Sequence, residues 1–92
     1  MVTLDELKAH LRIETDDEND YLGTLLRMAE ASVTDFCGQS FSVVPEPVRL
    51  AVLLFAGYHY AHRENDDLAA YSTMKSAFCA LLWPYREPGV LF

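Results

Sequence analysis

The sequence predicts an all-α fold, a small bundle of about four helices with an extended C-terminal tail. Three observations lead there. Apolar residues recur at helical spacing in successive segments, each bounded by capping residues, glycine or proline. No segment alternates apolar and polar residues at the period of a strand. And 51% of the 92 residues are apolar, enough to build a packed core and too many for a disordered chain. A chain of this length holds one domain, residues 1–92, that buries roughly 60–65% of the surface its unfolded form exposes.

The first helix opens on Thr3-x-x-Glu6, a capping box in which each side chain can satisfy the other residue's backbone N–H. Leu4, Leu7 and Leu11 then form one apolar stripe, with Asp5, Lys8 and Arg12 on another side, and the helix ends near Arg12 or Ile13. Glu14-Thr15-Asp16-Asp17 reads as a turn, with Asp16 or Asp17 capping a second helix over about Glu18–Cys37. Asp17, Glu18 and Asp20 lie in its first turn, where the helix dipole favours negative charge. Leu22, Leu25, Leu26, Ala29, Val33, Phe36 and Cys37 keep the 3.6-residue period, and Gly38 is placed to close the helix in the left-handed conformation.

Gln39 to Glu46 reads as an extended loop anchored by Phe41, Val43 and Val44. Pro47 suits the first residue of a third helix running to Glu64. From Leu50 to Ala61 the only polar groups are His59 and the hydroxyls of Tyr58 and Tyr60, so this helix is apolar all round and has to be covered on every side. It is the central helix of the domain, or one face is buried against another subunit, or both. Asn65 to Tyr71 reads as an acidic connector, and Ser72 as the cap of a fourth helix over Thr73–Trp83 that Pro84 ends. Pro84 and Pro88 keep the tail extended, so that it either reaches a neighbouring subunit or folds back over the apolar third helix of its own chain. Its last residues, Val90-Leu91-Phe92, are apolar at a terminus, and Trp83, Tyr85 and Arg86 are types enriched where protein surfaces meet. The expected core includes Leu22, Leu26, Val33, Leu54 and Phe55.

Composition narrows the function. Fourteen acids against seven Lys and Arg give a net charge of −7, and half of the acids fall within the first twenty residues. Holding duplex DNA requires cations that replace phosphate counterions, and no basic cluster exists to do so. A protein that surrounds DNA without gripping it is compatible with this charge. No apolar run approaches the roughly 20 residues of a membrane helix, and the acidic start lacks the basic region of a signal peptide. Cys37 and Cys79, without CxxC spacing, read as two reduced thiols.

No site for chemistry emerges. His59-x-x-His62 supplies two imidazoles, whereas structural zinc takes four ligands and catalytic zinc three plus water. Glu64, Asp66 and Asp67 follow closely, but ordinary hydrogen bonding at a helix end accounts for such a group. There is no glycine-rich phosphate loop, GxSxG, HExxH or EF-hand pattern. The acidic charge and length match acyl carrier proteins, but the Asp-Ser-Leu that bears their phosphopantetheine arm is missing. The expected reading is therefore no enzyme, no cofactor and no metal.

Several segments, in order, resemble the head–tail connector proteins of tailed phages and prophages, often labelled DNA-packaging proteins. Val2-Thr3-Leu4-Asp5-Glu6-Leu7-Lys8, Leu11-Arg12-Ile13, Asp16-Asp17-Glu18-Asn19-Asp20 and the helix to Cys37-Gly38 are similar to the start of that family. The proline-started helix from Pro47 to Tyr58-His59-Tyr60 and Arg63-Glu64, then Leu81-Leu82-Trp83-Pro84-Tyr85-Arg86, follow its later pattern. The chain departs from it at Leu68-Ala69-Ala70-Tyr71-Ser72, where relatives commonly carry a Pro-Gly-containing segment.

The resemblance implies a homo-oligomeric ring stacked on the portal protein at the capsid vertex. Such a ring is assembled in the bacterial cytoplasm and retained in the virion at the head–tail junction. It extends a DNA channel without binding DNA specifically and presents a surface to tail or head-completion proteins. Expected subunit-interface residues are Arg63, Glu64, Trp83, Tyr85, Arg86, Val90, Leu91 and Phe92. The competing reading is a small helical adaptor or regulator that docks a protein partner, which composition fits equally well; only the ordered motifs favour the connector.

Overall fold

A computed structural model describes residues 1–65 and 67–87. Among them are four α-helices and no strand, so the all-α expectation holds. Helix α1, Leu4–Leu11, begins on the capping box the sequence predicts: Glu6 N–H donates to Thr3 Oγ1 and Thr3 N–H to Glu6 Oε1, both at 3.1 Å. It stops at Arg12, which adopts φ 59° so that its N–H and that of Ile13 turn back to Ala9 and Lys8 carbonyls. A left-handed arginine costs roughly 1–2 kcal/mol, which these two bonds offset.

Helix α2, Asn19–Cys37, has Glu18 as its N-cap and no side-chain capping bond. The expected cap at Asp16 or Asp17 does not form. Asp16 is instead engaged by Lys8 Nζ at 2.7 Å and lies 3.4 Å from Asn19 Nδ2, which ties the turn to α1. Gly38 closes the helix at φ 71°, its N–H bonded to Thr34 O. Helix α3, Glu46–Ala61, starts behind Pro45 with Pro47 in its first turn, and ends three residues short of Glu64, at a cap on His62.

The start of helix α4 differs most from expectation. It spans Leu68–Leu82 and is capped by Asp67, whose Oδ1 accepts from Ala70 N–H at 3.0 Å, whereas Ser72 lies exposed within the helix. Asp67 and Ser72 are both competent caps; Leu68-Ala69-Ala70 behind Asp67 are strong helix formers and extend the helix back by more than a turn. A single 3₁₀ turn, Trp83–Tyr85, follows.

α3 packs between α2 and α4, with α1 across one side. The core runs through Leu7, Leu22, Val33, Val48, Val52, Phe78 and Leu82, all fully buried. Of the residues expected there, Leu22, Leu26, Val33 and Phe55 are buried, whereas Leu54 is only partly so. The chain measures 42 × 31 × 17 Å, and a thickness of 17 Å admits only two layers of helix. α3 therefore has neighbours around most, but not all, of its circumference. Leu50 remains exposed, and Leu53 and Leu54 half-buried, on the remaining arc.

Candidate functional site

The expected interface residues fall into two groups at opposite ends of α3, and Val90, Leu91 and Phe92 lie outside the described residues. Beyond the C-terminus of α3, Arg63 reaches back to Glu18 at the start of α2 in an ion pair. Tyr60 donates its hydroxyl to the other Glu18 oxygen at 2.8 Å, and the Arg63 guanidinium lies 4.5 Å from the centre of the Tyr21 ring. Arg63 therefore locks two helix ends of its own chain together, while Glu64 is exposed. The Arg63 and Tyr60 hydrogen bonds hold the Glu18 carboxyl below the usual glutamate range.

A carboxyl whose folded pKa is lowered stabilises the native state at pH above its unfolded value. That contribution disappears as the pH falls through the lowered folded value. Native protein is thus expected to lose stability more steeply on acidification than the Glu18→Gln variant, as read from urea midpoints across the acidic range. Identical slopes would contradict the pairing.

At the other end of α3, the segment after α4 folds onto the C-terminus of α2. Gln39 Nε2 donates to Tyr85 O at 2.6 Å, Arg86 Nε to Phe36 O at 3.2 Å, and Glu87 N–H to Cys37 O at 2.8 Å. Tyr85 meets Phe41 edge-on, and Trp83 packs against Phe36. The Arg86 guanidinium sits 5.1 Å from the Phe36 ring and 4.9 Å from that of Trp83. Tyr85 and Arg86 are consequently half-buried in their own chain, whereas Trp83 keeps 64% of its surface exposed.

Sequence reasoning missed a third feature, an open groove of about 410 Å³ on the uncovered arc of α3. Leu50, Leu53 and Pro47 form its floor, Leu81 of α4 one wall, and Glu46 and Arg49 its polar rim. Arg49 is held there by ion pairs to Glu6 of α1 and to Glu46. The all-apolar character of α3 signalled an uncovered face, but which face stays open depends on how α2, α4 and α1 pack against it. Leu68 is a further exposed apolar residue, 82% accessible at the start of α4.

The chemistry-bearing residues are placed structurally. His62 stacks on Tyr58, with ring centres 4.5 Å apart, and its Nδ1 lies 3.0 Å from Tyr58 O, which requires that nitrogen to donate. The His59 ring packs against Phe55 and Tyr58. Among the described residues no group of three or more His, Cys, Asp or Glu could hold a metal. Both cysteines are free, and burial pushes the Cys37 thiol above its ordinary pKa, the reverse of what a nucleophile needs. Lys8, Arg49 and Arg63, three of the seven Lys and Arg residues, are each paired with a carboxylate of the same chain. No helix among the described residues is long and apolar enough to cross a membrane.

The family model of the phage gp6-like head–tail connector proteins matches residues 1–78, from the Thr3 capping box to Phe78 in α4. No curated protein and no solved structure matches the chain. With more than four-fifths of its residues matched, the chain belongs to the phage gp6-like head–tail connector family, structural proteins of the virion.

Proposed function

We propose that this chain, acting as a single domain over residues 1–92, forms a ring of identical subunits beneath the portal, extends the DNA channel and presents a docking surface to tail or head-completion proteins. The family match across residues 1–78 carries this reading. Two physical features support it. Leu50, Leu68 and Trp83 are large apolar side chains left exposed, and Leu50 lines an open apolar groove, the kind of surface that marks a protein contact. The net charge of −7 suits a channel wall, because negative potential repels phosphate and lets packaged DNA slide past without sticking. In this reading the segment from Trp83 through Val90, Leu91 and Phe92 serves neighbouring subunits, and Arg63 and Glu64, at the opposite end of α3, contribute to the same assembly.

The test is electron microscopy of the purified protein mixed with its portal, paired with a gel-shift assay on duplex DNA. Rotationally symmetric rings with an open centre, stacked on the portal, are expected, with no retained DNA at physiological salt. A monomer that ignores the portal, or sub-micromolar DNA affinity, would overturn the proposal.

A further inference from the structure

We draw no further inference here: the strongest candidate, the open apolar groove between α3 and α4 lined by Leu50, Leu53 and Leu81, carries nothing because nothing in the structure shows what covers it.

Discussion

Replacing Phe78 by alanine is expected to destabilise the fold more than any other single truncation. Phe78 is fully buried, with ring centres 6.1 Å from Phe36 and 5.7 Å from Phe55, so one side chain joins α4 to α2 and α3. Deleting a buried phenylalanine costs about 3–5 kcal/mol through lost transfer energy and the cavity left behind. In a chain this small each kcal/mol moves the melting temperature by roughly 4–8 °C, so the variant should melt at least about 12 °C lower, as calorimetry would show. Since stabilities of small domains are commonly about 5–15 kcal/mol, a partly unfolded population at physiological temperature is expected too. A melt within a few degrees of the native one would mean that α4 does not pack as described.

Shortening the chain from its C-terminus should separate folding from assembly. Removal of everything after Leu82 deletes the Phe36–Trp83 and Phe41–Tyr85 aromatic contacts and the three hydrogen bonds that Tyr85, Arg86 and Glu87 make to residues 36–39. With each hydrogen bond contributing roughly 0.5–1.5 kcal/mol and each aromatic pair a similar amount, a loss of about 3 kcal/mol or more is expected in the isolated subunit. Removal of only the residues after Glu87 breaks none of these contacts, so that variant should melt above the shorter one. A second truncation that melts like the native chain but no longer forms rings with the portal would assign the residues after Glu87 to assembly. Equal melts for the two truncations would contradict the packing of Trp83–Glu87 on α2.

The features legible in the sequence were those decided within a few residues of chain. The Thr3–Glu6 box, the left-handed Gly38 and the proline at the start of α3 act through bonds or steric limits spanning at most four positions, and each appears where expected. The core of α2 was legible for the same reason, because a regular 3.6-residue period names its buried face without reference to a partner. Family membership also lay in the order of local motifs, which the family match over residues 1–78 bears out.

Tertiary structure decided what local rules left degenerate. Asp67 and Ser72 are both good caps, and the choice between them sets the length of α4. Asp16 could have capped α2, but Lys8 from a separate helix engages its carboxylate first. Trp83 to Glu87 looks free to extend, since prolines flank it; its partners are the carbonyls of Phe36 and Cys37, some fifty residues earlier, and no local pattern encodes them. On α3, where every face is apolar, periodicity carries no information about which face stays uncovered. The packing of α2 and α4 on α3, with α1 across one side, leaves Leu50 and Leu53 lining an open groove. Hydrogen bonding and sterics act over a few residues and can be read along the chain, whereas burial is shared among helices distant in sequence and exists only once they meet.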